Sequence, residues 1–279
     1  EFQKDVIDYF IAEYLAGRTP NPCIACNRYV KWEALLNRCI GLGADYIATG
    51  HYARIDKLEN GRFAIRNSVT ATKDQTYALY NLTQEQLSHT LLPVGSYTKD
   101  QIREIARQQD LPIANKPDSQ DICFVQHGTY ADFIKKTTGK DYPAGEFIDS
   151  AGNVLGRHRG IIFYTVGQHK GLGISSEEPW YVKEVRPAEN TVVLCRSEEL
   201  FTSVLEAADV NLISVDRIDA PMRVCAKVRY RQKEQPATVT QLENGHIRVE
   251  FDEPQRAITK GQAVVLYDGD IVVGGGTIV

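Results

Sequence analysis

From about residue 205 to its end, the sequence alternates apolar and polar residues with a period of two. Ala237-Thr238-Val239-Thr240-Gln241-Leu242 and His246-Ile247-Arg248-Val249-Glu250-Phe251 flank an Asn244-Gly245 pair. A period of two puts one set of side chains on each face of a strand, and a slip of one residue would turn the apolar set outward. Asn-Gly is the chemistry of a tight hairpin turn. Short strands of even spacing with such turns predict a small barrel or sandwich at this end.

The first 130 residues follow another pattern. Phe2, Val6, Phe10 and Tyr14 recur at helical spacing, which predicts a helix over 2–16 that Gly17 stops. Pro20 and Pro22 predict an extended loop from Arg18 to Cys23. A second helix is expected near 28–40, with Trp32, Leu35, Leu36 and Cys39 on one face. Tyr46-Ile47-Ala48-Thr49-Gly50 is a short buried-strand pattern, 52–68 reads as a hairpin around Asn60-Gly61, and Thr83…Gln86 and Thr98…Gln101 are capping-box helix starts. A polar loop, Asn115 to Asp121, runs into Ile122-Cys123-Phe124, and a short helix is expected at 131–137. Helix, strand and small-residue loop is how an open α/β sheet presents ligands at its strand ends. Only one convincing parallel strand is visible, and the chain reads as beginning inside a domain.

The 279 residues suggest two or three domains, and 43% hydrophobic with 24% charged is the balance of a soluble protein. No apolar run approaches the roughly 20 residues that span a bilayer, and no export signal is visible, so the chain reads as cytoplasmic with no membrane partner. Its six cysteines are then expected to be reduced, which favours thiol chemistry or metal binding over disulfides. Pro22-Cys23-Ile24-Ala25-Cys26 is a C-x-x-C that could be half a zinc site, a redox pair, or two ordinary cysteines at a helix start. No second C-x-x-C or C-x-x-H completes a four-ligand zinc set. A position near a helix N-terminus predicts a lowered thiol pKa. Cys123 between Ile122 and Phe124 reads as core on its own and as reactive beside its polar loop. Cys39, Cys195 and Cys225 read as small buried hydrophobes. The net charge of −4 speaks mildly against a nucleic-acid partner. Yet 221–235 holds Arg223, Lys227, Arg229, Arg231 and Lys233 against Glu234, and Arg157, His158, Arg159, His169 and Lys170 form a second basic cluster.

Several motifs occur in a fixed order: Gly17-Arg18-Thr19-Pro20-Asn21-Pro22 with Cys26, Ala48-Thr49-Gly50-His51-Tyr52-Ala53-Arg54, Lys73-Asp74-Gln75-Thr76-Tyr77, Lys116-Pro117-Asp118-Ser119-Gln120 with Ile122-Cys123-Phe124, Tyr164-Thr165-Val166-Gly167-Gln168 and Arg229-Tyr230-Arg231-Gln232. From end to end, the chain closely resembles the bacterial tRNA-specific 2-thiouridylases of the MnmA type. The resemblance implies a multidomain α/β plus β protein. It would consist of part of a PP-loop ATPase domain (adenine nucleotide alpha hydrolase-like, Rossmann-like) over 1–130, a small central domain over 131–200, and a C-terminal tRNA-binding β-barrel over 201–279.

The same resemblance implies ATP-dependent 2-thiolation of the tRNA wobble uridine. Cys123 would carry sulfur as a persulfide and Cys26 would be the nucleophile, the pair ending as a disulfide. Asn21, Pro22 and Cys23 match the segment contacting the target base, with the prolines forming a rigid slot for a flipped nucleotide. Some members carry aspartate where this chain has Cys23, in a proposed general acid/base role, and the thiol leaves that role open. Gly50 matches an ATP-contacting glycine. His51, Lys73, Asp74, Gln75, Arg229, Tyr230, Arg231 and Gln262 match tRNA contacts. ATP, with Mg as its counter-ion, is the implied cosubstrate; a cysteine desulfurase or sulfur relay protein is the implied donor partner. Cys23, Cys26 and Cys123 could alternatively hold an iron–sulfur cluster on ligand softness. The family's Ser-Gly-Gly-x-Asp-Ser phosphate loop does not occur in this sequence. The chain alone is therefore expected to be inactive, and the alternative reading is a tRNA-binding, sulfur-carrying fragment without catalysis.

Overall fold

A computed structural model describes residues 1–112, 114, 122–126 and 128–279. The polar loop 115–121 lies outside the described residues. The first helix runs from Phe2–Asp8 into Tyr9–Leu15 and buries Val6, Phe10, Ile11 and Tyr14. Gly17 follows at φ +73°, a backbone conformation that glycine adopts without strain.

The second helix begins at Pro22, where the two prolines had predicted an extended loop. Its pieces are Pro22–Ala25, Cys26–Leu35 and Leu36–Gly41. Proline is tolerated at the first helical position because the N–H it lacks would have had no intrahelical partner. Asn21 caps the helix: its side-chain oxygen accepts from Cys23 N at 3.1 Å and Ile24 N at 3.4 Å. The inward stripe is narrower than the periodicity predicted. Trp32 and Leu36 are buried, whereas Leu35 is 46% exposed and Cys39 is only half-buried.

Strand β1 (Ile47–Ala48), a hairpin of β2 (Ala53–Lys57) and β3 (Phe63–Asn67), and β4 (Thr90–Leu91) complete the strands of the first part. β1 pairs β4 in parallel, and the expected strand over 46–50 shrinks to two residues. Both capping boxes form, starting the helices Gln84–Ser88 and Lys99–Gln108. A third, Thr129 with Asp132, starts the helix Tyr130–Thr138.

The middle part is a four-stranded sheet of β5 (Gly145–Ile148), β6 (Val154–His158), β7 (Tyr181–Arg186) and β8 (Thr191–Cys195), in the order β6-β5-β8-β7. Phe147, Tyr164, Val182, Val192 and Leu194 form its core. The alternating segment closes as a six-stranded barrel of β9 (Phe201–Leu212), β10 (Met222–Lys227), β11 (Gln235–Gln241), β12 (Ile247–Arg256), β13 (Ala263–Asp268) and β14 (Ile271–Ile278). Closure comes from the β13–β14 and β10–β13 pairings. Val224, Ala226, Val239, Val249 and Leu266 fill it. The β2–β3 hairpin joins the barrel's sheet through β14, with Arg66 opposite Ile271. One core therefore runs from Trp32 and Leu36 through Ile65, Tyr77 and Leu79 to Val265 and Tyr267. That shared core sets the second helix against the barrel and so positions the site.

Candidate active site

Two anchors bring the cysteines together although they lie 97 residues apart in sequence. Phe124 stacks edge-on against Phe10 at 5.3 Å and lies 5.1 Å from Phe133, while Ile122 packs into the same cluster. With its two neighbours held inward, Cys123 is turned outward and is exposed. The second anchor is Gln262, whose Nε2 donates to Thr19 O at 2.8 Å and Pro20 O at 3.3 Å, while Thr19 N donates to Lys260 O. The barrel thus clamps the strap that leads into Asn21-Pro22-Cys23. Cys123 lies near enough to act on the ionisation of both Cys23 and Cys26, and Cys26 acts on Cys23.

The direction of that influence overturns the expected low thiol pKa. Cys26 is pushed up by burial, with Cys123 adding to the rise and Lys31 opposing it. Cys23 is pushed up by lost hydration and by Cys123 and Cys26, again with Lys31 opposing. Because the helix starts at Pro22, Cys26 lies beyond its first turn, where the dipole's ~0.3–1 kcal/mol has faded and desolvation wins. Among the described residues no three His, Cys, Asp or Glu side chains are grouped to hold a metal ion.

His51 is neutral over the physiological range: burial and the neighbouring Lys31 push its pKa down to about 4. Its Nδ1 is 2.8 Å from Thr49 Oγ1, and its ring lies 5.5 Å from that of Trp32. Next to it a groove of about 1050 Å³ is lined by Gly50, Lys73, Asp74, Gln75, Tyr230 and Arg231, among others. Six of the residues singled out in the sequence therefore share one cavity, to which the first part and the barrel both contribute. Tyr230 is 42% exposed and meets Tyr77 edge-on at 6.1 Å. Burial, Asp74 and Cys23 raise its phenol pKa, which places it between the groove and the thiols.

Several of these side chains already have partners. Asp74 accepts from Ser68 N at 2.8 Å and Thr76 N at 3.1 Å, so it shapes its own turn. Gln75 Oε1 accepts from Tyr52 N at 2.8 Å and steadies the segment after Gly50-His51. Arg229 donates to Ala257 O at 2.6 Å and Thr259 Oγ1 at 3.2 Å, and burial lowers its pKa. The basic run 221–235 is weaker than its formal charge: Asp252 neutralises Arg223, and Glu234 pairs with Lys227 at 3.2 Å. In the second basic cluster, His158 is fully buried; its Nδ1 accepts from Gly160 N, and its Nε2 lies 3.0 Å from Asn190 O. Cys195 is buried as expected and Cys225 is half-buried. Gly50 lines the groove, and a side-chain carbon there would meet no described atom. Among the described residues no helix is long and apolar enough to cross a membrane.

Sequence reasoning missed Lys31, the cation beside the thiols. Its only sequence signal is a position five residues after Cys26 on the same helix.

A helix N-terminus carrying two thiols, a third thiol brought in by another segment, and a groove shared with a β-barrel make up the candidate site. Comparison with known proteins places it more closely. Residues 1–127 match a family described as tRNA methyl transferase HUP domain, 131–196 its PRC-barrel domain, and 202–278 an aminomethyltransferase beta-barrel domain. The chain is 58% identical over its whole length to the tRNA-specific 2-thiouridylase MnmA of Lachnoclostridium phytofermentans, spanning 78% of that protein. It is 55% identical to the MnmA of Clostridioides difficile and 56% identical to that of Acetivibrio thermocellus, over 99% of this chain and 77% of each relative. The chain belongs to the tRNA-specific 2-thiouridylase family. The methyl transferase wording of the domain descriptions and the thiouridylase names differ, and the full-length identities of 55–58% support the latter.

Proposed function

We propose that this protein is an ATP-dependent tRNA-uridine 2-sulfurtransferase that works through Cys123 as a persulfide and Cys26 as its resolving nucleophile. The observation that carries this reading is the meeting of Cys26 and Cys123: the Cys123 thiol lies near enough to raise the Cys26 pKa although separate segments supply the two. ATP supplies activation of the uracil C2 oxygen as a leaving group. The terminal sulfur of the Cys123 persulfide attacks C2, and the activated oxygen departs. The Cys26 thiolate then attacks Cys123 Sγ. The S–S bond breaks, its electron pair stays with the sulfur on the base as a thiocarbonyl, and a Cys26–Cys123 disulfide forms. An external thiol reductant restores the pair.

The other groups serve binding. Asn21 and Pro22 set the helix start beside the target base, and Tyr230 offers an exposed aromatic face for an unstacked nucleotide. Lys73 and Arg231 line the groove for the phosphate backbone. Gly50, lacking a side chain, leaves room for the nucleotide. Gln262 and Gln75 act chiefly by holding the Thr19-Pro20 strap and the Gly50–Tyr52 turn.

The test is peptide mass spectrometry after the full-length protein is treated with a cysteine desulfurase and cysteine. One added sulfur on Cys123 is expected. Sulfur on Cys39, Cys195 or Cys225, with Cys123 unmodified, would refute the assignment.

A further inference from the structure

The ammonium of Lys31 is held in place rather than left on a free stem. Asn27, one turn earlier, is 3% exposed, and its Nδ2 donates to Ala78 O at 2.8 Å. That bond fixes the amide and leaves Oδ1 to accept from Lys31 Nζ at 2.8 Å. The same Nζ lies 3.4 Å from His51 Nε2, and His51 Nδ1 lies 2.8 Å from Thr49 Oγ1. An ammonium only donates, so Nε2 is the acceptor, and Nδ1 carries the hydrogen given to Thr49. The second helix, the turn at 76–78 and the segment after β1 together hold this cation on Asn27, the residue next to Cys26.

We propose that Lys31 is the positioning residue that supplies the counter-charge for Cys26, stabilising it as a thiolate beside the sulfur carried on Cys123. This inference rests on the proposed sulfur chemistry, in which two sulfur anions must be close together in one turnover. Among the described residues the groups facing the thiols are few. Cys23 and Lys31 come from the same helix as Cys26, Cys123 from the 122–126 segment, and Tyr230, with Asp74 behind it, from the groove side. Of these, Lys31 alone favours ionisation of both Cys23 and Cys26; burial and the other thiols oppose it. His51, kept neutral, accepts from the ammonium without competing as a second cation. Arginine would keep the charge, whereas glutamine would keep a donor for Asn27 and lose the charge.

The experiment is the pH profile of iodoacetamide alkylation at Cys26 in the full-length protein, read by peptide mass spectrometry. Lys31→Gln should raise the midpoint by about half to one pH unit, slowing alkylation near pH 8 about 3–10-fold. Lys31→Arg should stay within about 2-fold of the wild type, and Cys39 on the same helix should not change. If Lys31→Gln opens the buried Cys195 to reagent, Lys31→Met gives the same comparison with the stem's packing kept. A midpoint unmoved in the neutral variants, or moved equally in Lys31→Arg, would overturn the proposal. The readout needs neither tRNA nor ATP. Full 2-thiolation by a Cys26→Ser variant would instead refute the proposed function, so the two failures are distinguishable.

Discussion

Cys26→Ser in the full-length protein should reduce tRNA 2-thiolation by at least about 10³-fold while leaving tRNA affinity within about 2-fold. A serine hydroxyl is not ionised near neutral pH and is a poor nucleophile toward sulfur, so the exchange step stops after the base has been bound. Cys123→Ser should cost about as much, and the double variant little more, because two groups acting in one step do not contribute additively. Cys39→Ser and Cys225→Ser should stay within about 3-fold. Quantifying 2-thiouridine in digested tRNA separates these outcomes. A Cys26→Ser enzyme with near wild-type turnover, or an equal loss in Cys39→Ser, would contradict the pairing. The placement of Cys123 depends on Phe124 and Ile122 being held against Phe10 and Phe133. The effect therefore belongs to the pair, not to either thiol alone.

The second large effect concerns the groove. Lys73→Ala with Arg231→Ala should weaken tRNA binding about 10–100-fold near 0.1 M salt. It should also lower the slope of log affinity against log salt by about 1–2, as each lost phosphate contact releases fewer counterions. Arg223→Ala should change neither, because Asp252 already holds that guanidinium at 2.7–2.8 Å. Arg229→Ala should act through the barrel, costing about 1–3 kcal/mol of stability, since it strips partners from Ala257 O and Thr259. Filter binding across a salt series, with thermal melts of each variant, measures both. A salt slope unchanged in the double variant would remove the groove from the tRNA interface.

These contrasts show where the sequence was legible. The barrel, the β2–β3 hairpin and both capping boxes could be read because each depends on local chemistry: a period of two, Asn-Gly or Gly at a turn, and Thr three residues before Gln. The start of the second helix could not, because Pro22 ends one kind of segment and opens another, and only the cap from Asn21 decides between them. Leu35 and Cys39 shared a stripe with Trp32 and Leu36, yet the packing reaches only the latter two. The thiol pKa was misread because the helix dipole is visible in sequence and burial is not. The basic run 221–235 counted charges whose partner, Asp252, lies on another strand. Lys31 had only its position five residues after Cys26 as a signal, since its significance comes from Asn27, itself fixed by Ala78, and His51 meeting it in space. The motifs singled out the two thiols, and the resemblance rather than their spacing implied that the segments meet.

The central claim is that Cys26 and Cys123 act on the same sulfur. It is tested most directly by a single turnover of persulfide-loaded full-length enzyme with ATP and tRNA in the absence of reductant, followed by non-reducing peptide mass spectrometry. The account predicts one Cys26–Cys123 disulfide for each 2-thiouridine formed. Formation of 2-thiouridine with Cys26 still a free thiol, or paired with Cys23 in place of Cys123, would contradict it.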